Sequence, residues 1–398
     1  TQPQIKVIEL QGGTVDYFLS EEQQMIVDVA RQITDEMIVP QRAELDETED
    51  YPRDILTAIA KADLYGLYIP EEYGGLGGGC FEIVLALEQF ARGCTGVATA
   101  FAASALGAYP ILISGSEELK QKYMPLIASG EKLAAFALTE ANAGSDASGI
   151  QTTAVLDGDE WVLNGTKQWI TNAGEAQIYT VIAITDKSKG PRGATMFVVE
   201  DTDPGFSYGV KEKKLGIRCS STRELIFKDC RIPKDRVIGR IGMGFITVMK
   251  TLDQSRPGIA ILGVGLGQGA LDEAVNYAKQ RVQFGKPIIS FQAVQHILAD
   301  MAIQIEAGRA LVYSAAKHID AHKNDMSKAS SMCKVFATDM AMKVTTDAVQ
   351  VLAGYGYMRE YPVEKMMRDA KILQIYEGTN QIQRNVIGQE LNKEYTRS

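Results

Sequence analysis

Histidine is scarce in this chain: three of its 398 residues, His296, His318 and His322, and tryptophan is scarcer still, at Trp161 and Trp169 only. So few imidazoles support no Ser/His/Asp triad. His318 and His322 stand four apart, the spacing of a metal-binding pair, but no HExxH pattern or carboxylate set accompanies them. They read as a solvated helix face, and no metal is expected. The five cysteines (Cys80, Cys94, Cys219, Cys230 and Cys333) never fall at CxxC spacing. Their odd number and wide separation exclude a disulfide framework and a zinc site, and fit free thiols in a reducing compartment. No signal peptide and no bilayer-spanning run is read, so no membrane insertion is expected. A bacterial cytoplasm is the default location, with an organelle matrix as the alternative. An excess of basic charge is missing too: 41 Lys and Arg against 50 Asp and Glu give a net charge of -9. That argues against nucleic acid or an anionic membrane as the main partner, yet leaves room for one phosphate-bearing ligand held by a local Arg cluster.

What is present is an ordinary globular composition, 45% hydrophobic and 23% charged, in a chain long enough for two or three lobes. Residues 1–17 show no clear periodicity and read as an extension or covering strand. Ser20 and Gln23 form a capping box that opens a helix through Met25, Ile26, Val29 and Ile33, which Pro40 should end or kink. Helical spacing returns over Asp54–Leu64, Phe81–Phe90 and Glu117–Ile127. Near residue 136 the texture changes to short β-branched and aromatic runs: Thr152–Leu156, Trp161–Leu163, Lys167–Ile170, Gln177–Ile184, Thr195–Val199 and Leu225–Phe227. Asp157-Gly158 and Asn164-Gly165 read as hairpin turns. After Gly242 long amphipathic stretches follow, among them Ala270–Val282, Phe291–Ala321 and Ser327–Leu352. The order predicts an α+β chain of three separate lobes: an N-terminal helical domain over residues 1–135, a middle antiparallel β-domain over 136–241, and a C-terminal helical domain over 242–398.

Two glycine patterns invite a nucleotide reading. Gly265-Leu-Gly267-Gln-Gly269-Ala270 fits the loose dinucleotide fingerprint GxGxxA, but its flanks read as one small-residue helix, which favours close helix packing. Gly74–Gly79 lacks the Gly-Lys-Ser/Thr ending of a phosphate loop and reads as a flexible surface loop.

Four other segments are more specific: Phe136–Asp146 (FALTEANAGSD), Lys167–Asn172 (KQWITN), Arg281–Lys286 (RVQFGK) with Gln292, and Gln374–Gln383 (QIYEGTNQIQ) preceded by Arg368-Asp-Ala-Lys371. Each alone is a polar loop or helix end. Together, in this order and at these distances, they resemble the acyl-CoA dehydrogenase family, nearest to its medium-chain and butyryl-CoA members. The likeness runs from about Phe18 to the C-terminus, with Arg359–Arg368 and Gly285-Lys-Pro287 adding to it.

The resemblance implies that family's fold: a helical domain, a β-barrel-like domain and a C-terminal four-helix bundle. It also implies FAD, an acyl-CoA substrate, electron-transfer flavoprotein as the acceptor, and a homotetramer or homodimer. Glu377 of the Tyr-Glu-Gly-Thr motif would be the base that removes the α-proton. That proton is far less acidic than a carboxylic acid. A carboxylate can take it only when hydrogen bonds stabilise the thioester oxygen and when desolvation raises its own pKa. Outside the motif Glu377 could equally be a helix-start residue. By the same likeness Phe136, Leu138, Thr139, Gly144, Ser145, Trp169 and Thr171 would lie along the flavin and its ribityl chain, with Thr379 and Gln381 closing the site. Arg281, Phe284, Gln292, Gln350 and Gly354 would reach the adenine-diphosphate end, the Arg and Gln from a neighbouring subunit. The alternative for Arg281 is an exposed helix-end cation. Ser145, Asp253 and Arg256 would meet the CoA moiety, although Arg256 could instead be an ion-pair partner of Asp253. Tyr376 and Gly378 flank the base at the substrate.

Three departures from the family pattern stand out. Thr-Glu-Pro becomes Thr139-Glu140-Ala141, Gly-Gly becomes Ala353-Gly354, and the Gln and Glu of medium-chain pockets become Ala98 and Ala102. The small side chains predict an open apolar pocket for a medium or bulky, even alicyclic, acyl group, the alternative being that Phe101, Leu106 or Tyr109 swings in and refills the space. No Asp occurs between Asp63 and Asp146, so the pocket helix offers no second acid and α,β-desaturation is the expected chemistry. The same residues would also serve an enoyl-CoA reductase running in reverse. An acyl-CoA oxidase or a non-catalytic scaffold on this fold are the remaining alternatives.

Overall fold

The computed structural model describes residues 16–321 and 326–396, so most of the N-terminal extension and His322 lie outside it. The first helix, α1 (Glu21–Ile33), opens on the expected capping box: the Gln23 N–H donates to Ser20 Oγ (3.2 Å) and the Ser20 N–H to Gln23 Oε1 (3.1 Å). Of the two outcomes expected at Pro40, an end or a kink, the end does not occur. The chain widens into a π-helical turn over Thr34–Ile38 and continues as α2 (Val39–Thr48), with Pro40 in its first turn. The wide turn gives the ring room at a place where its missing N–H is least needed.

Helices α3 (Arg53–Lys61), α4 (Cys80–Gly93), α5 (Thr95–Ser114) and α6 (Glu117–Ala128) complete the N-terminal third. The glycine run before α4 is not the flexible loop its composition predicts. A Cβ on Gly75 would lie 1.9 Å from the Ile69 carbonyl oxygen, and one on Gly79 would lie 2.4 Å from Asp320 Oδ1. The Asp320 carboxylate accepts the Cys80 and Phe81 N–H groups (2.7 and 2.9 Å), capping α4 from 240 residues away.

One mixed sheet fills the middle third, in the order β6-β7-β3-β2-β4-β5-β8: β2 (Thr153–Asp157), β3 (Glu160–Thr171), β4 (Ile178–Ile184), β5 (Ala194–Glu200), β6 (Phe206–Lys211), β7 (Thr222–Pro233) and β8 (Val237–Ile238). A further strand, β1 (Ala134–Ala137), lies parallel to β4 and starts two residues before the expected boundary. Asp157-Gly158 is the β2–β3 turn, Gly158 taking φ +64°. Asn164-Gly165 is not a turn. It lies inside β3 at a register shift, where Gly165 takes φ +147° and the Thr152 side chain leaves no room for a Cβ. A second shift, between Lys167 and Ile170, sets Trp169 at φ +58°. Bulges of this kind re-aim side chains next to active sites.

The C-terminal third begins with α7 (Gly244–Gln280), a single 37-residue helix. The GxGxxA pattern lies within it and serves close packing: Cβ atoms on Gly265 and Gly269 would lie 2.2 and 2.3 Å from the Glu88 and Arg92 carbonyl oxygens of α4. A small hairpin, β9 (Val282–Gln283) and β10 (Lys286–Pro287), leads into α8 (Gln292–Ala321), α9 (Ser327–Leu352), α10 (Val363–Leu373) and α11 (Asn380–Thr396). By length and composition α5 and α7 could each cross a bilayer, contrary to the sequence reading. In the fold 78% and 72% of those stretches are buried inside the protein.

The helices fall into the N-terminal and C-terminal sets expected, and the two sets are packed together. Those of the first and last thirds share one core, in which α4 and α5 pack on α7, and β4 lies against it. The sides of β4 divide the molecule: Ile178, Ile182 and Ile184 enter the helical core, while Tyr179, Val181 and Ala183 enter a second core within the β-domain. A strand buried on both faces explains the unbroken apolar run of its sequence. All five cysteines are buried free thiols, as expected.

Candidate active site

Glu377 sits in the turn between α10 and α11, at φ +53°, followed by Gly378 at φ +92°. Left-handed backbone is unfavourable for a glutamate, so other groups must hold it. They do. Gln383 Nε2 donates to the Glu377 carbonyl (3.0 Å) and the Gly378 carbonyl (3.3 Å), Arg256 Nε reaches the Glu377 carbonyl (3.4 Å), and Lys334 Nζ donates to the Gly378 carbonyl (2.8 Å). At that φ any side chain is strained, and a Cβ at Gly378 would also stand 2.3 Å from Gln383 Nε2, so glycine is favoured there. The helix that follows starts at Asn380, where the Thr379 hydroxyl accepts the Ile382 N–H (3.3 Å), so Thr379 rather than Glu377 caps it.

Although Glu377 as a residue is half-buried, its carboxylate is enclosed. Burial pushes its pKa above the usual range, opposed by a 2.6 Å hydrogen bond from Ser255 Oγ and by the charges of Arg256 and Lys334. The carboxylate opens on a cavity of about 20 Å³ walled by Ile83, Leu87, Ala102, Ala105, Tyr109 and Ile259. That is room for about one water. Ala102 lines this cavity, whereas Ala98 is fully buried and is not among the residues that line it. Tyr109 also lines it, seated against Tyr68 (ring centroids 5.3 Å apart).

Arg256 is 2% exposed, bound to Asp253 (2.6 Å) and to the turn of Glu377. The ion pair with Asp253 is formed, a role that can stand beside contact with the CoA moiety. Ser255, Lys334 and Gln383 were not singled out by the sequence. Lys334 had a legible signal: Ser330, Ala337, Thr338 and Ala341, which share its helix face, are all buried.

Do the residues present fit a flavin? Gln168 N–H donates to the Thr139 carbonyl (2.8 Å), and the buried Lys167 ammonium to the Leu138 carbonyl (3.0 Å) and Glu140 (2.8 Å). Phe136–Thr139 and Trp169–Thr171 are thereby held side by side. Glu140 also accepts the Gln151 and Thr152 N–H groups, fixing the loop that carries Gly144 and Ser145 whether or not a proline follows it. Asn172, next after Thr171, donates to the Ala100 carbonyl of α5 (2.9 Å), the helix that carries Ala102. Trp169 is 55% exposed, Ser145 is exposed, and a Cβ on Gly144 would meet nothing within 4 Å. An uncovered indole, open glycine backbone and the hydroxyls of Thr139, Ser145 and Thr171 suit a planar ring system with polar edges.

A second pocket, of about 470 Å³, is lined by Tyr277, Arg281, Gln283, Leu352, Gly354 and Tyr355 among others, and shares no residue with the Glu377 cavity. Arg281 is not a bare cation: its guanidinium lies over the Tyr355 ring at 5.4 Å. Gln292 and Gln350 are exposed nearby in sequence, Gln381 is exposed in the first turn of α11, and Phe284 at the hairpin tip is 93% exposed.

Comparison with known proteins agrees with this geometry. Three family models match in order: acyl-CoA dehydrogenase N-terminal domain over residues 20–131, middle domain over 135–230 and C-terminal domain over 242–392. The structure of butyryl-CoA dehydrogenase from Megasphaera elsdenii is 45% identical with a TM-score of 0.92, covering 94% of this chain and 99% of that one. A chain in a structure of the electron transferring flavoprotein of Acidaminococcus fermentans is 46% identical with a TM-score of 0.93, covering 94% and 99%. An acryloyl-CoA reductase (NADH) of Anaerotignum propionicum is 43% identical over 98% of this chain and 99% of its own length. This chain belongs to the FAD-dependent acyl-CoA dehydrogenase family.

Proposed function

We propose that the chain oxidises a saturated acyl-CoA to its α,β-unsaturated thioester, with Glu377 as the base, and passes the electrons to an electron-transfer flavoprotein. The observation that carries this is the enclosed, hydrogen-bonded Glu377 carboxylate opening on an apolar cavity. Burial raises its proton affinity toward that of the carbon acid it must deprotonate. The left-handed turn presents the Glu377 N–H as a donor for the thioester oxygen as negative charge develops there. Phe136, Leu138, Thr139, Gly144, Ser145, Trp169 and Thr171 hold the flavin, and Thr379 and Gln381 close over it. When bound, FAD supplies the hydride acceptor. Arg281, Phe284, Gln292, Gln350 and Gly354 serve the nucleotide end of FAD, the Arg and Gln reaching it from a neighbouring subunit in a homotetramer or homodimer. Two observations support this: the pocket lined by Arg281 and Gly354 shares no residue with the Glu377 cavity, and Phe284 is 93% exposed, as a side chain that a partner covers would be. The transfer to a flavoprotein is supported by the likeness to the chain in the Acidaminococcus structure.

A second reading, physiological reduction of an enoyl-CoA, is supported by the acryloyl-CoA reductase relative. Glu377 would then return the proton. Titration of the holoenzyme with acyl-CoAs, followed by flavin bleaching, tests the reaction. Glu377→Gln should keep FAD and fold but lose about 10²–10⁴ in reduction rate. Bleaching at the parental rate would remove Glu377 from the role of base. Comparing the two directions with matched acyl- and enoyl-CoA pairs decides between the readings.

A further inference from the structure

We propose that Lys334 is a positioning residue for the base, fixing the Glu377–Gly378 turn through its ammonium and supplying the buried positive charge that the Glu377 carboxylate faces. The inference rests on Glu377 being the base, as proposed above.

Lys334 lies in the middle of α9 with no exposed surface. Its Nζ donates to two neutral acceptors, the Gly378 carbonyl and Asn380 Oδ1, both at 2.8 Å. One belongs to the residue after the base, the other to the first residue of α11. Asn380 is itself immobilised, donating to Thr338 Oγ1 (2.9 Å) and Asp339 Oδ1 (2.7 Å). The ammonium thus pins both ends of the short segment that leaves Glu377 in its left-handed conformation.

The charge inventory around it is unusual. From α7, Arg256 is matched by Asp253 (2.6 Å), and Ser255 is engaged with Glu377. From α9, Asp339 is matched by Arg384 of α11 (2.7 Å) and by the Gln374 and Asn380 amides, and Cys333 adds a thiol whose pKa burial pushes up to about 12. From α11, Gln383 contributes a neutral amide. Among the described residues no carboxylate comes within 4 Å of the Lys334 ammonium. The other two buried lysines differ: Lys167 has Glu140 at 2.8 Å and Lys365 has Asp369 at 2.5 Å. A scaffold cation would be expected to carry such a partner, since burying an ion unpaired is costly. Glu377 is the anion that Lys334 answers.

The proton affinities agree with this arrangement. Burial pulls Lys334 down to about 7, and Glu377 is the first group to oppose it. Glu377 is raised by burial, then pulled back by Ser255, Arg256 and Lys334. Removing the lysine charge leaves burial less opposed, so the carboxylate should hold its proton to higher pH.

The test uses FAD-loaded Lys334→Gln and Lys334→Met beside Lys334→Arg. Gln retains a donor and loses the charge, whereas Met loses both. Because Glu377 acts when ionised, the flavin-reduction rate falls as pH drops through its pKa. That acid limb should move up by about one pH unit in both neutral variants and return toward the parental position in Lys334→Arg. Infrared difference titration of the Glu377 carboxyl, identified by its loss in Glu377→Gln, should show the same shift without turnover. An unchanged acid limb and infrared midpoint in folded, yellow Lys334→Gln overturns the proposal. So does failure of both neutral variants to fold while Lys334→Arg folds, which would make Lys334 a scaffold cation alone. Parental bleaching by Glu377→Gln, by contrast, would strike at the base assignment and is read separately.

Discussion

The closest hydrogen bond to the base comes from Ser255, at 2.6 Å. A donor to a carboxylate stabilises its ionised form, so the bond lowers a pKa that burial has raised. Ser255→Ala should therefore move the acid limb of flavin reduction to higher pH while leaving the alkaline rate much less affected. A pH–rate profile of the holoenzyme checks both halves of that statement. Tyr109 lines, with the small Ala102 and Ala105, the cavity of about 20 Å³ on which the base opens. Tyr109→Ala should let longer acyl groups in, each buried methylene adding about 0.8 kcal/mol. The readout is the ratio of reduction rates for long and short acyl-CoAs. An unaltered ratio would place the limit on chain length elsewhere. Ala102→Glu should act in the opposite sense, penalising long chains while sparing short ones, since a carboxylate is costly beside an alkyl chain.

At the scale of elements, the contacts that fix the site are made by backbone fitted against backbone. Gly265 and Gly269 let α7 approach the carbonyls of α4, and α7 carries Ser255 and Arg256 to the base. Gly265→Ala should cost about 1–3 kcal/mol in chemical denaturation, the range for overpacking a close-fitted interior. A loss below about 0.5 kcal/mol would mean that α7 can back away freely. Which of these elements could be read beforehand follows from how local their causes are. The cap at Ser20, the Asp157-Gly158 turn and the periodicity of α9 depend on residues a few positions apart, and they were legible. Asn164-Gly165 was misread because the local signal of a turn is the same as that of a bulge. What decides between them is Thr152 on a neighbouring strand and the pairing with β7. At Pro40 the helical run goes on through a π turn, which has no composition of its own to announce it. In the candidate site, Glu377 is legible through its motif and Lys334 through the face of α9 it shares, whereas the meeting of Ser255 and Lys334 at the base depends on α7 and α9 converging on it, an arrangement that residue order does not display.

At the scale of the whole molecule, the two pockets pose a question of assembly. Arg281 lines a pocket that shares no residue with the Glu377 cavity, and on the reading proposed above one FAD is touched by both sets of residues across two subunits. Cofactor and oligomer then stabilise one another by mass action. Arg281→Ala should weaken FAD retention and lower the melting temperature, the deficit shrinking as free FAD is added. A stable monomer with full flavin content in sedimentation would contradict the shared site.

The common core of the first and last helices has a consequence for how the protein is made. Glu88 on α4 accepts from Arg309 Nε at 2.7 Å and from the Tyr313 hydroxyl at 2.6 Å, partners 221 and 225 positions further on. Until α7 and α8 have left the ribosome, the faces that α4 turns to both of them and α5 turns to α7 lack their partners. At about 5–20 residues per second, that wait lasts on the order of ten seconds or more. The nascent N-terminal third is thus a natural client for a holding chaperone, and a chain released after β8 should be aggregation-prone where the full chain is not.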